Sequence, residues 1–153
     1  DMKGALLASD TVPASQDIAE ALAIEIGSPV TQLETLHSAD GRPVSRATLW
    51  ISSEKFPEIT TDYAESGSVT VAFRKAGLTD YFRKSTIISA RHADSDDLKH
   101  LKLSPGAIVL TAKAINVNTD GEPIQYSLTR FSADNMEFSI ETYPGDPQMN
   151  DMN

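Results

Sequence analysis

Residues 30–52, VTQLETLHSADGRPVSRATLWIS, carry the pattern on which the fold turns. Two β-favouring runs, Val30 to Ser38 and Val44 to Ser52, flank Asp40-Gly41, a pair that tolerates the positive φ of a tight turn. Pro43 falls at a strand start, where its missing N–H costs little. Residues 108–131, IVLTAKAINVNTDGEPIQYSLTRF, repeat the arrangement: Ile108 to Val117, Asp120-Gly121, Pro123, then Ile124 to Phe131. The two segments lie about 80 residues apart, a spacing that marks an internal duplication. Two long antiparallel hairpins are therefore predicted.

Working outward, each hairpin is preceded by a short helical stretch. One starts at Ser15 and the other at Ser95 or Asp94, residues whose side-chain oxygens cap orphan amides, and Gly27 and Gly106 are expected to end them. Lys3 to Ser9 and Ser85 to Arg91 read as strands entering the two copies. Between the copies, Phe56-Pro57 ends a strand, Asp62 to Glu65 reads as a short turn, and Ser66-Gly67-Ser68 opens a helix running through Ala76 to Gly77. Val69, Ala72, Phe73 and Ala76 give that helix one buried stripe. The order is β-α-β-β-α-β-α-β-β, with a further terminal strand expected at Glu137 to Glu141. Hairpins dominate, so the class is α+β: a mainly antiparallel sheet with helices packed on it. After Tyr143 a Pro-, Gly- and Asn-rich tail, residues 144–153, is expected to be disordered, leaving one domain over 1–143.

Composition narrows the function. Hydrophobic residues at 40% and charged residues at 23% suit a globular domain, and 13 Lys plus Arg against 22 Asp plus Glu give a net charge of −9. That sign is wrong for a surface that must neutralise a phosphate backbone. With no cysteine there is neither a thiolate nucleophile nor a thiolate metal site, and His37, His92 and His100 lack metal-ligand spacing. No metal and no cofactor are expected. No apolar run reaches the roughly 18 residues that span a bilayer, which leads to a cytoplasmic expectation without membrane attachment.

The duplicated helix-hairpin unit, the Ser66-Gly67-Ser68 helix start between the copies and the closing stretch from Tyr126 through Arg130 and Asp134 to Phe138 together resemble one family. This is the UbiC transcription regulator-associated (UTRA) domain, the ligand-binding half of HutC-type GntR regulators, which shares the chorismate lyase fold. The likeness runs from about Gly4 to Glu141 and rests on the order and spacing of motifs. Ile88-Ser89-Ala90-Arg91, Gln125 to Thr129, and Met136-Glu137-Phe138 are most similar to the phosphonate-utilisation subgroup. The resemblance implies a small anionic effector (a phosphonate, phosphate or sugar phosphate), a homodimer, and operator DNA bound through an N-terminal winged helix-turn-helix that lies outside this chain. It implies a sensor and not an enzyme, although the same fold hosts a lyase, and a ligand-free dimerisation module is the other alternative.

Such an effector needs helix-terminal amides, hydroxyls and a guanidinium that grips two oxygens. The resemblance places Ser66, Ser68 and Thr70 against the anion, while Ser68 read by itself is a helix cap. Arg46 shares a strand face with Val44, Thr48 and Trp50, and is either a pocket ligand or a chain snorkelling past Trp50 to solvent. Arg91 is carried over as an anion contact, or else forms a salt bridge to Asp94 or Asp97. Tyr126 superposes on Arg46 across the repeat, which would bring both into one central cleft unless Tyr126 is simply core. Arg130 completes the candidate set by its chemistry.

Overall fold

The computed structural model describes residues 3–142, and the expected tail lies outside them. Six strands, β1 (Gly4–Pro13), β2 (Pro29–Ala39), β3 (Arg42–Ser52), β4 (Phe82–His92), β5 (Ile108–Val117) and β6 (Pro123–Ser132), form one antiparallel sheet in the order β1-β2-β3-β6-β5-β4. Four helices join them: α1 (Gln16–Leu22), α2 (Ile59–Ser66), α3 (Val69–Lys75) and α4 (Ser95–Leu101). The α+β expectation holds. Two strand-helix-hairpin segments meet at the β3/β6 seam, where Arg46 pairs with Arg130 and Trp50 with Tyr126. None of the helices is long and apolar enough to cross a membrane among the described residues.

Local chemistry explains most of the elements. At the first hairpin Asp40 and Gly41 both take positive φ, 51° and 75°, as the sequence predicts. The second turn differs: only Gly121 is left-handed, and the Asn118 side chain organises the loop by accepting from the Asp120 and Glu122 amides. Ser15 caps α1 through the Ile18 amide. For α4 the cap is Asp94 and not Ser95, in a reciprocal box with Asp97. Neither helix ends on its glycine. Ala23 and Lys102 take the left-handed C-cap, and Gly27 and Gly106 turn the chain into the following strands.

Two elements depart from expectation. Asp62 to Glu65 is not a turn but part of the eight-residue helix α2, which has no side-chain cap at Glu58 and exists because Ile59 and Tyr63, one turn apart, are buried together. The strand expected at Glu137 to Glu141 is absent from the sheet; beyond the Ala133–Asn135 turn these residues are irregular, with the Phe138 ring edge-on to Phe131 at 5.9 Å.

Alternation along β3 sorts the layers. Ala47, Leu49 and Ile51 join Leu33 and the Ile59, Tyr63, Ala72 and Phe73 side chains of α2 and α3 in the main core. Trp50 and Tyr126 project to the other face, against Ala19 and Leu22 of α1. α4 lies on that second face as well, since its Asp97 reaches Arg46. The sheet is thus roofed by α2 and α3 over its β1-β2-β3 half, and by α1 and α4 beneath.

The roof is fastened to the first strand. Gly67 ends α2 at φ 66° and accepts a 2.9 Å hydrogen bond from the Gly4 amide. A Cβ on Gly67 would meet the Gly4 carbonyl oxygen at 2.6 Å, and one on Gly4 would run into the Tyr63 hydroxyl. Both glycines are required by close approach of backbone to neighbour.

Candidate functional site

Beneath α2 and α3 the sheet leaves an open cleft of about 480 Å³ that crosses the β3/β6 seam. Its walls are Thr35 and His37 of β2, Ser45, Ala47 and Leu49 of β3, Gln125, Ser127, Thr129 and Phe131 of β6, Asn116 of β5, Arg83 of β4, and Tyr63, Val69 and Tyr81 from the roof. These strand residues sit at alternate positions, so one sheet face supplies all of them.

The lining is hydrogen-bonding but nearly uncharged. Among the described lining residues Arg83 is the one guanidinium, at the exposed rim, held by Nε donating to Asn116 Oδ1 (2.8 Å) and Nη1 donating to Thr86 Oγ1 (2.9 Å). Asn116 Nδ2 in turn donates to Gln125 Oε1 at 2.9 Å, so a polar relay crosses β4, β5 and β6. At the roof end Tyr63 is 1% exposed, yet its hydroxyl has no hydrogen-bond partner among the described residues, Thr35 lying beside it without meeting bonding geometry. Burial raises the Tyr63 phenol against a smaller opposing effect of Thr35, and burial lowers His37, so both are neutral at pH 7. Among the described residues no carboxylate lines the cleft.

The opposite face carries a different cluster. Asp97, fully buried, accepts from Arg46 Nη2 at 2.9 Å and Arg91 Nη1 at 2.6 Å, and also from the Asp94 amide. Burial alone would raise its carboxyl, but the hydrogen bonds from Arg91, the Asp94 amide and Arg46, together with the Arg91 charge, hold it well below the ordinary range. Arg46 is 7% exposed and lies 3.8 Å from Glu34, which accepts from the Thr48 hydroxyl. Arg130 Nη1 donates to Thr48 Oγ1 at 3.1 Å; its Nε is buried without a partner among the described residues, and desolvation, then the Arg46 charge, lower its pKa.

The sheet therefore separates the seven candidates expected to converge. Ser66, Ser68 and Thr70 belong to the roof, and their hydroxyls are used locally. Ser66 Oγ donates toward the Asp62 and Ser68 carbonyls and accepts the Ser68 amide, Ser68 Oγ caps α3 at the Val71 amide, and Thr70 bonds the Tyr81 hydroxyl. Arg46, Arg91, Arg130 and Tyr126 lie on the far face. Arg91 forms the salt bridge to Asp97, with Asp94 at 3.8 Å. Arg46 neither faces the cleft nor snorkels; it is a buried ion-pair partner. Tyr126 stacks on Trp50 at 5.1 Å, with Trp50 Nε1 donating to Gln32 Oε1. It does not meet Arg46, because the register sets the two at opposite ends of the β3/β6 pair.

Missed by the sequence reading were Arg83, Asn116, Gln125, Tyr63 and the special setting of Asp97. Arg83 has a recoverable signal: the strand expected from Ser85 begins at Phe82, and an alternating reading from there puts the arginine inside it.

The family model described as UTRA domain matches residues 1–137. The chain is 48% identical over 137 residues to an uncharacterized HTH-type transcriptional regulator of Rhizobium meliloti (strain 1021), covering 90% of this chain and 56% of that protein. It is 30% identical to the probable transcriptional regulator PhnF of Escherichia coli (strain K12), covering 84% and 54%. It spans about half the length of these curated relatives. Among solved structures, the PhnF C-terminal domain superposes with a TM-score of 0.77 at 29% identity, over 92% of this chain and 88% of that one. The effector domain of PhnF from Mycobacterium smegmatis has the same fold, with a TM-score of 0.82 at 19% identity over 94% and 88%.

Proposed function

This chain belongs to the UTRA domain family, and from that premise we propose that it is the effector sensor of a GntR-type transcription regulator, with the cleft under α2 and α3 as its effector site. The observation that carries this reading is the lining itself: hydroxyls and amides, one rim guanidinium and one buried hydroxyl without a partner. A concave site of this kind orients a small ligand by a few placed polar groups. The fold alone does not decide between holding a ligand and transforming it, so the sensor reading rests on the family and on this polar lining.

The effector class is a small anion: a phosphonate, or a phosphate or sugar phosphate with its anionic end at the rim. Arg83 takes the anion through the nitrogen not committed to Asn116 and Thr86, and Tyr63 takes a hydroxyl at the roof end. Ser66, Ser68 and Thr70 shape the roof, Arg46 and Arg91 hold α4 to the sheet from behind through Asp97, and Arg130 bonds Thr48 beside them. The regulator acts as a homodimer on operator DNA through a winged helix-turn-helix outside this chain. Occupancy of the cleft favours one arrangement of the dimer over another, and operator affinity follows.

Differential scanning fluorimetry across phosphonates, phosphate, sulfonates and sugar phosphates tests this directly. A true effector at 100 times its Kd adds about 2.7 kcal/mol, which for a domain of this size raises Tm by roughly 5–10 °C. Arg83→Ala should weaken that ligand roughly tenfold, the loss of one charge-assisted hydrogen bond, and leave the ligand-free Tm in place. No shift with any compound, or an unchanged Kd in Arg83→Ala, would remove the cleft from consideration.

A further inference from the structure

We propose that β4 receives residues 137–141 of a second copy of this chain as an added strand, and that this exchange forms the dimer. The proposal deepens the dimeric reading above and rests on it.

The two ends of the sheet are treated differently. β1 is broken by a register shift at Leu6/Ala8, ends in Pro13, and is tied to α2 by the Ser9–Thr60 hydroxyl pair, features that discourage further pairing. β4 has none of these over residues 85–92. Its register shift falls at Arg83/Ser85, it contains no proline, and it is exposed along nearly its whole length, with Ile87 63% and Ile88 43% accessible on opposite faces. A long edge of unpaired amides and carbonyls, flanked by isoleucines, is a template for another strand.

The matching strand is in the same chain. Glu137-Phe138-Ser139-Ile140-Glu141 alternates polar and apolar residues as a strand with one buried face does, yet stays out of its own sheet. Phe138 is 43% and Ile140 74% exposed. Charge fits as well: β4 brings Arg83, Lys84 and Arg91 and no acid, while 137–141 brings two glutamates and no base. Opposed β4 edges would instead set Lys84 near Arg91, a like-charge pairing that costs energy. In the exchanged arrangement Phe138 and Ile140 cover the face that holds Ile88, and the glutamates fall on the opposite face, which holds Ile87 and Arg91. A two-fold axis makes the contact twice.

The 153-residue chain has no cysteine, so introduced thiols report unambiguously. Single variants Thr86→Cys, Ile88→Cys and Ala90→Cys are each mixed with Ile140→Cys, oxidised, and run on a non-reducing gel beside sedimentation velocity of the unmodified chain. The expected result is a dimer in solution and a disulfide between Ile140→Cys and one of the β4 variants, with Glu137→Lys/Glu141→Lys weakening self-association at least tenfold. A dimer whose only cross-link joins two identical β4 variants, or that forms no cross-link, overturns the exchange and leaves the dimeric reading standing. A monomer at all concentrations overturns both.

Discussion

Asp97→Asn should cost about 3–5 kcal/mol at pH 7, the loss expected when one member of a buried ion pair is removed and its partner is left behind. The partner here is Arg46, 7% exposed, whose other carboxylates are no closer than 3.8 Å. Asn still accepts a hydrogen bond but brings no charge, so Arg46 and Arg91 repel each other across it. Urea unfolding reads the effect as a midpoint lower by about 1–5 M, given slopes of about 1–3 kcal/mol per molar. Replacing Arg46 and Asp97 together with apolar residues should cost less than the sum of the single changes, because the more deeply buried guanidinium is no longer left without its carboxylate and only the half-exposed Arg91 loses its partner.

The same carboxylate sets the acid limb of stability. Its pKa is depressed in the fold, so its contribution is complete above the unfolded value of about 3.9 and is lost as pH falls toward the folded one. The gap between the wild type and Asp97→Asn should therefore be widest at neutral pH and narrow progressively as pH falls below about 4 toward the folded-state value. A gap that stays constant between pH 7 and pH 2.5 would show that something other than the carboxylate charge is responsible.

Phe73→Ala should be comparably severe, about 3–5 kcal/mol for a large-to-small change in a packed core. Phe73 is fully buried, with the Phe56 ring at 5.0 Å and the Tyr81 ring at 5.4 Å, both edge-on. Those contacts seat α3 on the sheet. The α3 helix has only seven residues, too few to persist without packing. The variant should lose protection from amide exchange first in residues 59–75, ahead of β3 and β6. Uniform loss across the sheet would mean that the roof is not a separable unit. Phe73→Leu, which fills part of the volume, should recover more than half of the stability.

Much of this architecture is legible in residues that act over short distances. Asp40-Gly41, the Ser15 and Ser68 caps and the alternation through Arg46, Thr48 and Trp50 each report local geometry, and the structure agrees with them. Arg91 also finds one of the two carboxylates open to it on the sequence. What fails is information the chain does not carry locally. Nothing within Ser66-Gly67-Ser68 states on which face of the sheet α3 will rest, so serines and arginines that look complementary end up on opposite sides. The α2 helix has weak formers at Thr60 and Thr61 and no cap, and only burial of Ile59 and Tyr63 reveals it. Asp97 looks like one acid among several near a helix start until two guanidinium groups arrive from β3 and β4.

The β3/β6 seam also dictates an order of assembly. Every other strand pair closes a hairpin or spans a single short helix, whereas Ser45 to Trp50 must find Tyr126 to Phe131, about 80 residues away, at an extra loop-closure cost of about 1–2 kcal/mol. Each half can organise itself quickly from nearby contacts, and the join between them sets the overall pace, in the millisecond-to-second range of non-local β topologies. Substitutions along that join, Thr48 or Leu128 for example, should slow refolding, while those in the Asp40-Gly41 turn should alter mainly the early, local steps.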